Sequence, residues 1–194
     1  MVESGAVEKR WESLFGDAEV EFEALRRADM VAEAVDRSRR EFALVRLGDR
    51  LRGALGVGVE VWLDGPGAGT VHGVLRRAGP DWMLLADDGR REVLIPLAAV
   101  VAVGGLGART AAPGGESAVE AKLDLRYALR GLARDRAPVR VVLRGGRTAT
   151  GTFDRVGRDF VELAEHLPGE ARRTTAVSRV RSIPLDALLA VRSR

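Results

Sequence analysis

The body of this chain is written twice, and that repetition limits its folds more than any other feature. Residues 73–85, GVLRRAGPDWMLL, align without a gap to residues 151–163, GTFDRVGRDFVEL, with Trp82 opposite Phe160. Further on, residues 95–103, IPLAAVVAV, match residues 183–191, IPLDALLAV, at six of nine positions. Upstream, VEVWL at 59–63 parallels VRVVL at 139–143, and LRG recurs at 51–53 and 129–131. Four blocks in the same order mark two copies of one supersecondary module of about 60 to 75 residues each.

One copy is enough to read the module. Leu44, Leu47, Leu51 and Leu55 lie three or four residues apart, a helical stripe that Leu125, Leu129 and Leu132 repeat. Ser117 with Glu120 forms a capping box that would start the second of these helices. Val59, Val61 and Leu63 then alternate with Glu60, Trp62 and Asp64, the pattern of a strand with one apolar face. Turn residues follow at Gly65 to Gly69, or at Gly145 and Gly146 in the second copy. A second strand begins at Gly73 or Gly151, a hairpin turns at Gly79 or Gly157, and a third strand carries Trp82 to Leu85 or Phe160 to Leu163. A fourth strand ends at Ile95-Pro96-Leu97 or Ile183-Pro184-Leu185, where proline halts pairing, and the remainder supplies one turn and a fifth strand. The predicted fold class is therefore α+β: an N-terminal helical arm and two small, partly open barrels, each a helix plus five strands.

Glycine and proline place the boundaries. Residues 1–44 hold only Gly5 and Gly16 and no proline, whereas all 7 prolines lie after Phe42. The predicted domains are a helical arm over 1–44, a first barrel with its leading helix over 45–103, a Gly/Pro/Ala linker over 104–117 and a second barrel over 118–194. Charge follows the same division. The arm has 7 basic and 11 acidic residues, residues 45–103 have 7 of each, and residues 104–194 have 17 and 10, so the overall +3 conceals a basic C-terminal half.

Composition also narrows the chemistry. Without cysteine there is no disulfide, zinc ribbon, iron-sulfur cluster or cysteine nucleophile, and the two histidines, His72 and His166, have no metal-site spacing. The longest uncharged apolar run, Val93 to Val103, is too short for a membrane span. The first 20 residues carry Glu3, Glu8, Glu12 and Asp17 and no apolar core of a signal peptide, so the expected location is the cytoplasm. Asp81 and Asp159 fall in tight turns, where aspartate commonly bonds its own backbone, and two such turns do not converge two carboxylates for acid–base work. Gly65 to Gly69 resembles a phosphate loop but departs from the G-x-G-x-x-G register and precedes a strand. No cofactor and no catalytic constellation is expected, and the chain is read as a non-enzyme.

The sequence Gly58-Val-Glu-Val-Trp-Leu-Asp-Gly65, with Gly73-Val-Leu, Gly79-Pro-Asp81-Trp82 and Ile95-Pro-Leu-Ala-Ala-Val100, resembles the two-part motif of Sm-like proteins, including their bacterial Hfq branch. The resemblance covers 45–103 and, more loosely, 118–191, and it implies tandem Sm-like or SH3-like barrels. In that family such barrels join through their fourth and fifth strands into rings that bind RNA. The family's basic and histidine RNA-binding positions and its Arg-Gly pair are replaced here by Ile95-Pro96-Leu97 and Ile183-Pro184-Leu185. With its Trp11-Glu-Ser-Leu-Phe15 start, the whole chain also resembles an uncharacterised family of high-GC Gram-positive bacteria sometimes labelled Fis-type regulators, although no helix-turn-helix pattern stands near its C-terminus.

Two groups of residues are the functional candidates. Arg140, Arg144, Arg155, Arg158, Arg172, Arg173, Arg179 and Arg181 would form a basic, phosphate-holding surface if the second barrel gathers them, with Asp154, Asp159, Glu162, Glu165 and Glu170 as the balancing acids. Few aromatic side chains are available for base stacking, because Phe153 and Phe160 fall at core positions, so binding should be electrostatic and weakly sequence-specific. In the arm, Asp17 can cap a helix starting at Ala18, and Trp11, Leu14 and Phe15 form a docking anchor ahead of Gly16. The arm could fold back on its own barrels, with Trp62 as receiving surface, pair with a second copy, or hold a protein partner. The leading expectation is a regulatory protein that binds nucleic acid, RNA ahead of DNA, through the basic second barrel. The alternative is a protein-interaction or assembly module using barrel edges and the acidic arm.

Overall fold

The computed structural model describes residues 4–65, 69–87, 91–115, 120–166 and 179–193, with the side chains of 4–21 and 24 outside the description. It divides into two compact units, Met1–Val45 and Arg46–Arg194.

The first unit is one helix, α1 (Ser4–Phe42), which would be about 58 Å long at 1.5 Å per residue. It runs through Gly16 and Asp17 without a break, so the predicted start at Ala18 is corrected. A long run of helix-compatible residues carries the helix past one glycine. Its described face is held by local pairs: Arg27 with Glu23 at 2.8 Å, Arg37 with Glu33 at 3.1 Å, and the Arg26 guanidinium 4.7 Å from the Phe22 ring centre. Phe22, Leu25, Met30, Val31, Val35 and Phe42 are all exposed.

The second unit holds α2 (Leu47–Gly53), α3 (Leu125–Arg134) and ten strands. These are β1 (Gly58–Leu63), β2 (Thr70–Ala78), β3 (Trp82–Ala86), β4 (Glu92–Pro96), β5 (Val100–Gly104), β6 (Pro138–Leu143), β7 (Thr148–Val156), β8 (Phe160–Glu165), β9 (Arg179–Pro184) and β10 (Leu188–Ser193). Several local predictions hold in both repeats, but two are corrected: α2 takes in only Leu47 and Leu51 of the predicted stripe, leaving Leu44, Leu47 and Leu55 exposed, and the second strands start at Thr70 and Thr148, ahead of Gly73 and Gly151. Val59, Val61 and Leu63 are buried while Trp62 is exposed, and each proline closes its fourth strand ahead of a single 3-10 turn. A bulge at Leu75/Arg77 recurs at Phe153/Arg155 and bends each second strand. Gly79 and Gly157 are required where they stand, because a Cβ at either would lie 2.2 Å from the Trp82 ring or 2.4 Å from the Phe160 ring.

The prediction of two separate five-stranded barrels is corrected. The strands form one open antiparallel sheet in the order β5-β1-β2-β3-β4-β10-β6-β7-β8-β9. The halves join where β4 meets β10, through Leu94 opposite Val191 and Val93 opposite Arg192. Side-chain alternation across this seam explains why the halves cannot be separate. Val93, Ala190 and Val142 belong to the first core, while Leu94, Val191 and Val141 belong to the second. The seam strands thus present each face to a different core, and both β4 and β10 are buried over four consecutive residues. Strands buried on both faces lose the apolar–polar alternation of a half-exposed sheet.

The helices and the 104–117 stretch are fastened to this sheet. Asp49 is buried in α2; it accepts the Arg46 N–H at 2.8 Å and pairs with Arg52 at 2.5 Å. Its carbonyl accepts the Ala111 N–H at 3.0 Å, so described residues of the predicted linker lie against α2. A Cβ on Gly53 would come within 2.7 Å of Thr110 Cα. The second helix starts later than predicted. Its N-cap is Asp124, whose carboxylate accepts the Tyr127 N–H at 2.9 Å, and Ser117 lies outside the described residues. Among the described residues no helix is long and apolar enough to cross a membrane.

Candidate nucleic-acid interface

The described members of the predicted arginine set fall on β6, β7 and β9 and the turns beside them, and several are already paired. Arg144, just after β6, donates to Asp64 Oδ2 at 2.6 Å and to the Asp186 carbonyl at 2.7 Å, tying the second repeat to the first. Arg155 on β7 stands opposite Glu162 on β8 and donates to it at 2.8 Å, while Arg158 is exposed in the turn beyond. Arg181 grips Glu165 with two bonds, 2.7 and 3.1 Å, and Arg179 stands directly opposite Glu165. The Arg181 hydrogen bond holds the Glu165 carboxyl below its usual range, and the same contact raises Arg181. These two share the rim of a cavity of about 200 Å³ with Arg147. Arg172 and Arg173 lie outside the described residues.

Arg140 has different surroundings. On β6 it is the direct partner of Arg192 on β10, whose other neighbour is Val93 on β4. Arg140, Arg192 and Arg91 line one cavity of about 420 Å³ with Asp87, Val93 and Ser193. Arg91 and Arg192 were not among the predicted residues, because nothing in the repeat shows that β10 lies between β4 and β6.

The acidic turns also differ from expectation. Asp81 reaches beyond its own turn: its Oδ1 accepts the Leu125 N–H at 2.7 Å, and Trp82 Nε1 donates to the Leu123 carbonyl at 2.7 Å. Together they seat the start of α3. Burial raises the Asp81 carboxyl above its ordinary 3.8, only partly offset by the Leu125 hydrogen bond. Burial also pushes Asp124 upward, but bonds from Tyr127 N–H and Arg126 outweigh it and leave the group lowered. Phe160, expected in the core, is 37% exposed. Among the described residues no helix is seated on it as α3 is seated on Trp82. His166 is buried, with its Nε2 2.9 Å from Thr152 Oγ1. Among the described residues no group of three or more His, Asp or Glu could hold a metal ion.

Of the predicted docking residues, Trp62 is 53% exposed and its indole N–H bonds Glu60. Trp11, Leu14 and Phe15 lie on the backbone of α1, and their side chains fall outside the description. A largely apolar groove of about 390 Å³ runs beside α3, floored by Leu84, Leu94 and Val191 and walled by Trp82, Ala128 and Leu132. Compared with protein-family models and with curated proteins, the chain matches none.

Proposed function

We propose that the protein is a non-catalytic, nucleic-acid-binding regulator that holds phosphate through arginines of its sheet. The observation that supports this reading most is the set of exposed cations left over once the ion pairs are drawn. Arg140, Arg147, Arg158 and Arg192 make no side-chain bond among the described residues, while Arg144, Arg155 and Arg181 are paired with acids. Residues 104–194, which supply all of these, carry 17 basic side chains against 10 acidic ones. Unpaired guanidinium groups attract the phosphate backbone with little regard to sequence, and affinity then falls steeply as salt rises. The resemblance to Sm-like proteins, itself part of this proposal, puts RNA ahead of DNA. Gel-shift assays with single-stranded RNA and duplex DNA test it: a shift at about 50 mM salt that fades by about 200 mM supports the reading, and no shift at low salt contradicts it.

One observation favours a second reading, an assembly module. β5 and β9 are the end strands of the open sheet, and each exposes a valine, Val101 at 63% and Val180 at 53%. Unpaired apolar edges are templates for pairing with another chain. Light scattering on the purified protein tests this: a mass above one chain that falls to one chain in Val101→Lys or Val180→Lys supports it, and a monomer contradicts it.

A further inference from the structure

The β4–β10–β6 seam carries a charge arrangement that works against the sheet. Arg140 and Arg192 are direct partners across an antiparallel pair, so their Cβ atoms stand on one face about 4.5 to 5.5 Å apart. Like charges so placed destabilise a sheet. Elsewhere in the same repeat the corresponding positions are matched in sign, with Arg155 opposite Glu162 and Arg179 opposite Glu165. Among the described strand pairs two arginines oppose each other at the seam alone, and neither makes a side-chain bond among the described residues. The row they occupy continues, at its exposed end, the face that carries Ala190 and Val142 into the first core.

A third cation joins them. Arg91, just before β4, lines the same cavity of about 420 Å³, which among the described residues has Val93 on its wall and one carboxylate, Asp87. That carboxylate accepts the Arg91 backbone N–H at 2.9 Å. Ser193 spends its hydroxyl on the Glu92 backbone, 3.2 Å from the nitrogen and 3.3 Å from the oxygen. Among the described lining residues three guanidinium groups stand against one carboxylate, an excess of positive charge, and guanidinium forks are suited to a pair of phosphate oxygens.

We propose that this seam is a phosphate site, with Arg140 and Arg192 as a two-armed clamp and Arg91 closing it from just before β4. It rests on the nucleic-acid reading above and assigns the place where a strand's backbone is held. The shared chemistry is a phosphate oxyanion, whose source is either a phosphodiester in a strand or free phosphate.

Fluorescence polarisation with a labelled single-stranded RNA, run across a salt series on the full chain, reads the site. Calorimetric titration of inorganic phosphate separates the two sources. The variants are Arg140→Gln/Arg192→Gln and, as a control already bonded to Glu162, Arg155→Gln. The double variant is expected to bind RNA at least tenfold more weakly and to lower the slope of log affinity against log salt by about 1.4, the share of two contacts on a single strand. Its melting temperature should equal or exceed that of the parent, because a repulsion is removed, and Arg155→Gln should bind within about twofold of the parent. Should the glutamine pair fail to fold, Arg140→Lys/Arg192→Lys keeps the charge without the fork; it should lose affinity while keeping the salt slope, and unchanged affinity contradicts the clamp. If the parent binds RNA and the double variant binds it equally, the site is wrong and the nucleic-acid reading stands. If the parent ignores RNA but binds phosphate, and the double variant does not, the nucleic-acid reading falls and the site stands as one for free phosphate. Binding of neither overturns both.

Discussion

The turns at Asp81–Trp82 and Asp159–Phe160 share one backbone. In each, the glycine N–H bonds the aromatic residue's carbonyl at 2.8 Å, and the aspartate carbonyl accepts from the leucine after the proline, at 2.9 Å for Leu97 and 2.8 Å for Leu185. Their surroundings differ. Trp82 is 8% exposed, inside the second core, with α3 seated over it, whereas Phe160 is 37% exposed. A repeated sequence therefore reproduces the turn, while the role of its side chains is set by whichever segment arrives against them. The first repeat's turn works for the second repeat's core, which is the same lesson as the seam.

The largest expected difference is between the two aromatic truncations. Trp82→Ala should cost about 3 to 5 kcal/mol, the range for emptying a large buried site, against less than about 1 kcal/mol for Phe160→Ala. Urea unfolding measures both, and equal costs would break the comparison. Next come the aspartates. Asp81→Ala removes the acceptor for the Leu125 N–H and should cost about 1 to 2 kcal/mol, while Asp159→Ala should stay within about 0.5 kcal/mol.

Protonation sharpens the same contrast. Because burial raises Asp81 above its ordinary 3.8, its ionisation in the fold is unfavourable, and stability is lost as pH rises through its folded value. Asp124 and Glu165 are lowered, so the stability they contribute is present above their ordinary range and lost as pH falls through their folded values. Asp81→Asn keeps an acceptor oxygen without the charge. Its stability relative to the parent should therefore climb as pH rises from about 3.8 through the folded Asp81 value and then level off, which thermal melts across that window would show. A difference that stays flat, or falls with pH, would mean that burial does not govern this carboxyl. The smallest effect belongs to Arg181→Gln, which breaks a solvent-screened pair with Glu165 and should leave the urea midpoint nearly unchanged.

Much of each repeat was legible because its signals are local. The Val59, Val61, Leu63 alternation, the glycines under Trp82 and Phe160 and the prolines ending β4 and β9 all report within a few residues of themselves. The joining of the two repeats does not. It left a trace in the unalternating runs Val93-Leu94-Ile95 and Leu188-Leu189-Ala190-Val191, which suit strands with a core on each side. The start of α3 was misplaced because Asp124 and Ser117 are both acceptable caps in sequence, and only the turn at Asp81–Trp82 selects Leu125 as the first helical residue. For the candidate site, Arg140 was visible in the charge pattern. Arg91 and Arg192 were not, since they approach it only through the β4–β10 pairing, between residues far apart in the chain.

The two repeats share one sheet and should open as one cooperative unit. Amide hydrogen exchange on Trp82→Ala in the full chain tests it most directly, read at Val61 in the first core and Val141 in the second, both fully buried. If the sheet is one unit, both amides lose protection by the same free energy. Loss at Val141 with Val61 unchanged would contradict the claim and mean two independently folding halves.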